Sequence, residues 1–341
     1  MSQATDSLAR CHCGLIDVHA HCLTPTYKAA LAKAGLLTLD GGYPVPEWSP
    51  EKALEMMETG NIETMILSVS SPSVGFLKEK EERVALARAI NEETAAVIRQ
   101  YPGRFGGFAT LPLPHIKESL TELAHAFDEL QFDGVVIETN TDGKYLGNEE
   151  LTPLFDELNR RKATIFLHPT SPQCFEAVAL GRPAPLFEFP VDTARTVIDL
   201  LFSNTLKRCP DINLILPHAG GVLPAIARRI ALLSGMPSMK PNPKPGEEVL
   251  QELQRIYYDV AMSANQPTFD GLRTLAPLTQ IVFGSDFPFQ PAANVEANIK
   301  NFRALNGLSV DEHEGIARGN ALRLFPRLHD LQARRPTPGE Q

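Results

Sequence analysis

Eight short apolar runs alternate with helical patterns along the chain, and this alternation constrains the fold more than any other feature. Several runs are apolar at nearly every position, as parallel strands buried on both faces usually are. Eight such units predict an α/β protein with a (β/α)₈ TIM-type barrel. An open doubly wound sheet is less suitable, because no G-x-G-x-x-G follows the first run. The predicted strands are residues 14–20, 64–70, 104–111, 134–139, 163–169, 212–219, 256–261 and 280–286.

The ends of this pattern predict the domain organisation. Ser309 and Glu312 have capping-box spacing, so a helix is expected to begin at Ser309, after the eighth predicted strand. We expect a single barrel domain over residues 14–326, with a small insertion after the first strand. A polar leader (1–13) and a tail (327–341) would flank it.

Charge and composition exclude several classes of protein. The formal net charge is −9, and no lysine or arginine stripe offsets it, which argues against nucleic acid or an anionic membrane as partner. No apolar run reaches 18 residues, so no membrane span is expected. Five cysteines, an odd number spread along the chain, favour free thiols. With a polar N-terminus, these features predict a cytoplasmic protein.

Polar side chains occupy the carboxyl ends of four predicted strands. His19 and His21 end the first strand, His168 the fifth, His218 the sixth and Asp286 the eighth. Strand carboxyl ends converge at one mouth of a barrel, where catalytic residues usually lie. A lone strand histidine is more often a core residue, but this convergence favours a metal site.

Three imidazoles and one carboxylate suit Zn²⁺ or another divalent transition metal. We predict His19, His21, His168 and Asp286 as ligands, and His218 as a neighbouring acid–base or substrate-orienting group. Asp17 has the same strand parity as the first two histidines. It would either support them or act as a buried hydrogen-bond partner deeper in the barrel.

Six motifs occur in an order that resembles a known family. They are "IDVHAH", "YPGRFGGFATLP", "LHP", "PHAGG", "FGSDFPF" and "GNALRLF", and they span residues 14 to 326. Together they resemble the amidohydrolase-related metal-dependent decarboxylases, a group that includes aminocarboxymuconate semialdehyde, γ-resorcylate and 6-methylsalicylate decarboxylases. As a whole, the sequence most resembles the fungal 6-methylsalicylate decarboxylases.

The resemblance implies one divalent metal per chain, held by the four predicted ligands, with Asp286 and His218 as catalytic residues. The fourth strand offers no lysine to bridge a second metal, and Lys144 comes only later. His19 stands where γ-resorcylate-type members have a carboxylate. This difference leaves both Zn²⁺ and Mn²⁺ open, with Zn²⁺ the first choice, and no organic cofactor is expected.

The resemblance also suggests residues that contact substrate. Arg228 and Arg229 match the region where the family supplies an arginine to a neighbouring subunit, which implies a homodimer, although a solvated helix face would explain them equally well. Phe287 and Phe289 could wall an arene pocket or pack in the core. Weaker candidates are Ser68, which ends the second strand, and Trp48, which precedes the next helix.

The expected reaction is non-oxidative decarboxylation of an ortho-hydroxybenzoate. The most specific expectation is conversion of 6-methylsalicylate, a small aromatic carboxylate, to 3-methylphenol and CO₂ in polyketide metabolism. Hydrolysis of a lactone or amide would use the same residues. A barrel that binds a ligand without catalysis is the third alternative.

Overall fold

Eight parallel strands form the centre of the fold. The computed structural model describes residues 13–239 and 241–328, so most of the predicted leader and tail lie outside the described residues. The barrel strands are β1 (Leu15–His21), β2 (Ile62–Ser68), β3 (Phe105–Thr110), β4 (Gly134–Glu138), β7 (Thr164–His168), β8 (Asn213–Leu216), β9 (Tyr257–Asp259) and β10 (Ile281–Val282). A separate hairpin consists of β5 (Asn140–Thr141) and β6 (Lys144–Tyr145).

Neighbouring barrel strands follow one another along the chain, in the order β1-β2-β3-β4-β7-β8-β9-β10. The last segment closes the barrel against β1 through main-chain hydrogen bonds. Val18 N donates to Phe283 O at 3.0 Å, and His21 N donates to Phe287 O at 2.7 Å. These bonds lie beyond the end of β10, so the predicted (β/α)₈ architecture is confirmed as a nearly closed barrel.

Helices connect the strands and cover the barrel. The predicted insertion after β1 contains the first helix and the loop of residues 34–49, which we call the rim loop. The helices are α1 (Pro25–Lys33), α2 (Pro50–Gly60), α3 (Lys80–Gln100), α4 (Ile116–Ala124), α5 (Thr152–Arg160), α6 (Phe175–Val178), α7 (Glu188–Phe202), α8 (Thr205–Arg208), α9 (Leu223–Leu233), α10 (Gly246–Gln254), α11 (Gln266–Arg273), α12 (Ala292–Arg303), α13 (Val310–Glu314) and α14 (Asn320–Leu324). The predicted capping box of Ser309 and Glu312 is present at the start of α13.

Apolar side chains form two layers of core. The larger layer lies between the strands and the helices. The smaller layer fills the barrel interior, where α14 and the residues after it also pack and so close one end. The strand residues of this inner layer are Ile16, Val18, Ile66, Phe108, Val136, Phe166, Ile215 and Val282.

Cysteines and helices bear on the expectations drawn from composition. Cys22, Cys174 and Cys209 are free thiols, as expected. Cys13 is disulfide-bonded, so the expectation of free thiols is wrong for that residue. Among the described residues, no helix is both long and apolar enough to cross a membrane.

A buried arginine ties together loops at the mouth of the barrel. Arg83 donates hydrogen bonds to the carbonyl oxygens of Leu77 (2.6 Å), Gly75 (3.1 Å) and Leu113 (3.0 Å). It also forms an ion pair with Asp142, which lies between β5 and β6. The guanidinium thereby fixes the loops after β2 and β3 to the hairpin after β4.

Replacing this arginine should destabilise the whole fold. We expect Arg83→Ala to lower the free energy of unfolding by roughly 3 kcal/mol, because several buried carbonyl groups lose their donor. Urea denaturation followed by circular dichroism measures this loss. The control, Lys80→Ala, removes an exposed ion pair and should change stability by less than about 1 kcal/mol. Equal losses in the two variants would contradict this account.

Candidate metal centre

Three predicted ligands meet at the carboxyl end of the barrel. His19 Nε2 and His21 Nε2 lie 3.1 Å apart. Asp286 Oδ1 lies 3.4 Å from the first of these nitrogens and 3.3 Å from the second. His168 joins the two histidines in a group whose potential ligand atoms all lie within 4.8 Å of one another. The structure therefore brings the four predicted ligands into one cluster.

An irregularity in β1 positions the first histidine. The register of β1 against β2 shifts between Asp17 and Ala20. Val18 and His19 are consecutive residues, yet both reach the barrel interior: Val18 joins the inner core and the His19 ring lies 4.8 Å from that of Phe166. Strict strand alternation would have placed one of them outside.

Asp17 does not belong to the cluster. Its carboxylate accepts hydrogen bonds from the main-chain N–H groups of His19 and Ser285, each at 3.0 Å, and from the Ser285 hydroxyl. Burial raises the pKa of Asp17 to about 7, although these hydrogen bonds act in the opposite direction. Asp17 is therefore a buried hydrogen-bond partner that also fixes the backbone at His19 and next to Asp286.

The Nδ1 atom of each clustered histidine has its own partner. His19 Nδ1 lies 2.8 Å from Asp259 Oδ2, and His21 Nδ1 lies 3.0 Å from the Ser68 hydroxyl. His168 Nδ1 lies 2.8 Å from the carbonyl oxygen of Pro169. Such partners fix the orientation of metal-ligating imidazoles. The Nε2 atoms point into the cluster, where that of His168 also lies 3.3 Å from the Ser70 hydroxyl.

Burial and mutual electrostatic interactions shift the pKa values of the clustered groups in different directions. Burial would lower the pKa of His19, but Asp259 and Asp286 outweigh it and raise that pKa to about 10. Burial and the neighbouring imidazoles hold the pKa of His168 well below its usual range. Burial would raise the pKa of Asp286, yet the histidines around it hold that pKa well below its usual range. A neutral imidazole and an ionised carboxylate are the forms that bind metals.

The donor set fits a divalent transition metal. Two ring nitrogens 3.1 Å apart face each other in a buried site, an arrangement that a shared cation would stabilise. Imidazole nitrogen with a carboxylate oxygen is the ligand combination typical of zinc and related ions. Two groups of three residues are each able to hold one ion: His19, His21 and His168, and His19, His218 and Asp286.

His218 lies beside this cluster. Its Nε2 is 3.6 Å from Asp286 Oδ2, and no side chain or main-chain group of the described residues accepts or donates a hydrogen bond to that nitrogen. Both residues adopt left-handed backbone conformations, with φ of 56° for His218 and 63° for Asp286. Residues held in this sparsely populated region are often functional.

Asp259 is a functional candidate that the sequence-based prediction missed. It ends β9, and its second oxygen accepts hydrogen bonds from His218 N and Ala261 N, both at 2.9 Å. One carboxylate therefore orients His19 and fixes the backbone at His218. The signal was present, because a polar residue at a strand end met the same criterion as the predicted ligands.

Removing the charge of Asp259 should weaken metal binding. We expect Asp259→Asn to reduce metal affinity about 10- to 100-fold, because His19 loses the carboxylate that fixes its tautomer. Competition with a chelating dye measures the affinity. Asp192→Asn is the control: this buried carboxylate binds Tyr145 and Arg195 instead of a metal-site histidine. Equal losses of affinity in both variants would contradict a specific role for Asp259.

A cavity of about 610 Å³ opens onto the cluster. His168, His218 and Asp286 form part of its wall, and Asp40, Ser70 and Ser71 form another part. The remaining wall is mostly apolar, as in pockets for small aromatic molecules. The apolar contacts include Leu39, Leu186, Phe189, Val222, Met262 and Phe289.

The other predicted substrate contacts have different positions. Phe289 lines the cavity, and its ring lies 5.2 Å from that of His21. Ser68 instead supports His21 from behind. Phe287 and Trp48 are buried in the core and are absent from the cavity wall, so the structure does not place them against a substrate.

Arg228 and Arg229 lie on α9, where both are exposed and outside the cavity wall. Within one chain they cannot contact a ligand in the cavity. Their predicted role toward a neighbouring subunit stays a prediction.

Sequence and structure comparisons agree with this geometry. Residues 16–327 match the model of a family described as amidohydrolase. The 6-methylsalicylic acid decarboxylase of Aspergillus aculeatus is 36% identical over 93% of this chain and 98% of its own length. A crystal structure of an amidohydrolase II superposes with a TM-score of 0.83 and is 30% identical, covering 91% of this chain and 99% of that chain.

A more distant solved structure shares the fold. A dihydroxybenzoic acid decarboxylase from Polaromonas, solved with bound manganese and the inhibitor 2-nitroresorcinol, superposes with a TM-score of 0.78 at 22% identity. The alignment covers 95% of this chain and 98% of that chain. Likeness at this identity concerns the fold. With a family match over nearly the whole length and the predicted ligands together at one barrel mouth, this chain belongs to the amidohydrolase family.

Proposed function

We propose that this protein is a metal-dependent decarboxylase of ortho-hydroxybenzoates, and that 6-methylsalicylate is its substrate. The observation that carries the proposal is that the cluster of His19, His21, His168 and Asp286 borders a largely apolar cavity. The similarity to a 6-methylsalicylic acid decarboxylase over 93% of the chain supports it. The products would be 3-methylphenol and CO₂.

Direct loss of CO₂ from an arene would leave an aryl carbanion of high energy. A proton must first reach the carbon that bears the carboxylate, after which CO₂ departs and its bonding electrons restore the aromatic ring. When bound, the divalent ion would supply Lewis-acid chemistry that holds the phenolate and carboxylate oxygens and lowers the phenol pKa. The protein's own task is to orient the ring and deliver the proton.

Asp286 and His218 are the proposed proton-delivery pair. The histidines around Asp286 hold its pKa well below its usual range, so under this proposal a bound substrate must change these contacts before the carboxylate can deliver a proton. His218 Nε2, 3.6 Å from Asp286 Oδ2, is placed to pass a proton to that carboxylate. Phe289 and the other apolar residues of the wall would hold the ring and exclude water.

Zn²⁺ is the proposed native metal, with Mn²⁺ as the alternative. Three imidazoles with one carboxylate suit Zn²⁺, whereas Mn²⁺ prefers a set richer in oxygen. Metal analysis of protein purified without added metal tests this choice. Zinc at about one ion per chain is the expected result, and manganese at that ratio would contradict it.

We also propose a homodimer and a cytoplasmic location. A homodimer would bring the exposed arginines of α9 toward a second copy of the chain. Light scattering on the purified protein should give twice the 37.4 kDa chain mass, and a single-chain mass would contradict the dimer. The cytoplasmic location stays a prediction from the sequence.

A substrate comparison tests the reaction type. Hydrolysis of a lactone or amide would use the same cluster, so the residues alone do not separate the two reactions. The metal-loaded protein is expected to release CO₂ from 6-methylsalicylate and to leave simple aryl lactones intact. Turnover of a lactone with no CO₂ release from any hydroxybenzoate would overturn the proposal.

A further inference from the structure

A carboxylate with no part in the proposed chemistry lines the same cavity. Asp40 begins the short turn Asp40–Gly42 in the rim loop. Its Oδ2 accepts hydrogen bonds from Ser71 Oγ at 2.8 Å, Thr170 Oγ1 at 2.7 Å and Ser171 N at 2.6 Å. The Ser171 N–H and the two hydroxyls, which also lie 2.6 Å from each other, form a network that holds this carboxylate in the wall.

The position of Asp40 is fixed relative to the metal cluster. Ser70 Oγ lies 3.3 Å from His168 Nε2, and the next residue, Ser71, donates to Asp40. On the other side of the rim loop, Tyr43 Oη donates to the carbonyl oxygen of Phe289 at 2.9 Å. A ring held at the cluster would therefore share one enclosed space with the Asp40 carboxylate.

The residues of one chain that line the cavity carry more negative than positive charge. Of the described residues that line the cavity, the two carboxylates are Asp40 and Asp286, and none is a lysine or arginine. Asp286 belongs to the cluster, where a divalent ion would offset its charge. Asp40 has no cationic partner in the wall, since its hydrogen-bond donors are hydroxyls and a main-chain N–H.

We propose that Asp40 is a specificity-determining residue that excludes arenes bearing a second carboxylate. The cavity would then accept hydroxybenzoates with one carboxylate and apolar substituents such as a methyl group. Like charges repel strongly where little water separates them, and a site gains specificity by disfavouring the wrong ligand. This inference rests on the proposed function and deepens it by naming the substrate class.

The test uses inert ligands in which a nitro group replaces the reacting carboxylate. The three nitrophenols carry different groups on the ring carbon where 6-methylsalicylate has its methyl group. They are 3-methyl-2-nitrophenol, 3-hydroxy-2-nitrobenzamide and 3-hydroxy-2-nitrobenzoate. The last two have similar size and polarity but differ in charge. Nitrophenols absorb visible light, so their dissociation constants for the Zn²⁺-loaded protein follow from spectrophotometric titration without any turnover.

The wild-type protein is expected to bind the carboxamide at least about tenfold more tightly than the carboxylate. Asp40→Asn should reduce that ratio to less than about threefold, because asparagine keeps an acceptor oxygen for the three donors and removes the charge. Asp40→Ser serves as a second neutral variant if the asparagine variant does not fold. Asp142→Asn is the matched control, since Asp142 lies near the rim but does not line the cavity.

Two results would overturn the proposal: equal binding of carboxylate and carboxamide by the wild type, or an unchanged ratio in the neutral Asp40 variants. Because binding is measured without turnover, a charge-dependent ratio with no CO₂ release from 6-methylsalicylate would refute the decarboxylase proposal and leave the role of Asp40 standing.

Discussion

Replacing Asp286 with asparagine is expected to lower kcat for decarboxylation of 6-methylsalicylate at least about 1,000-fold. Asp286 contacts His19, His21 and His218, and it faces the cavity. It is the proposed metal ligand and the proposed proton donor, so two contributions are lost together. Asparagine has a similar shape but carries neither a charge nor a transferable proton.

The measurement is initial-rate release of CO₂, combined with metal content and circular dichroism. Asp128→Asn is the matched control, because this exposed carboxylate pairs with Arg161 far from the strand ends. Its kcat should remain within about twofold of the wild-type value. An Asp286→Asn protein that retains its metal and more than about one-tenth of wild-type activity would contradict both proposed roles.

Replacing His168 with alanine is the second change with a large expected effect. Its imidazole is buried, and its low pKa keeps it neutral, which is the form that donates a nitrogen to a metal. Without it, two imidazoles and one carboxylate remain, and we expect metal content to fall from about one ion per chain to less than about one-tenth. Activity should fall at least about 1,000-fold with it.

His313→Ala is the matched control for this variant. His313 is also buried, but it bonds to the carbonyl oxygen of Phe302 in the outer core. Its removal should lower thermal stability and leave metal content unchanged. Full metal occupancy in His168→Ala, measured by elemental analysis, would remove this histidine from the ligand set.

The alternation of apolar runs with helical patterns predicted the architecture. Those runs are recognisable because every barrel strand must bury both faces. Each of the eight predicted runs overlaps one observed barrel strand, and the predicted ligands at their ends meet at one mouth. That success needed no side-chain geometry. Parallel strands in a barrel bring their carboxyl ends together whatever the details of packing.

β8 and β10 end three and four residues earlier than predicted, for local reasons. β8 ends at Leu216, three residues earlier than predicted, because Pro217 has no N–H to donate and His218 begins a left-handed turn. In that turn, a Cβ on Gly221 would lie 2.3 Å from the carbonyl oxygen of Pro190. Similarly, regular β10 ends at Val282, before the positive φ of Asp286.

The sequence predicted only part of the cavity wall, namely His168, His218, Asp286 and Phe289. Asp40 lies in an irregular loop, and only the fold brings it to Ser71 and Thr170. Trp48 and Phe287 were plausible aromatic contacts by position in the chain, but their side chains pack into the core. Which side of a loop faces a ligand depends on packing between distant segments, and no periodic pattern encodes it.

Isotope labelling of the product tests the central claim most directly. The metal-loaded protein is incubated with 6-methylsalicylate in D₂O, and the product is examined by NMR and mass spectrometry. We expect one CO₂ for each 3-methylphenol, with a single deuterium on the ring carbon between the hydroxyl and methyl groups, because the proton there comes from solvent-exchangeable Asp286 or His218. Unchanged 6-methylsalicylate in the presence of Zn²⁺ or Mn²⁺, or a product that retains its carboxylate, would contradict the account.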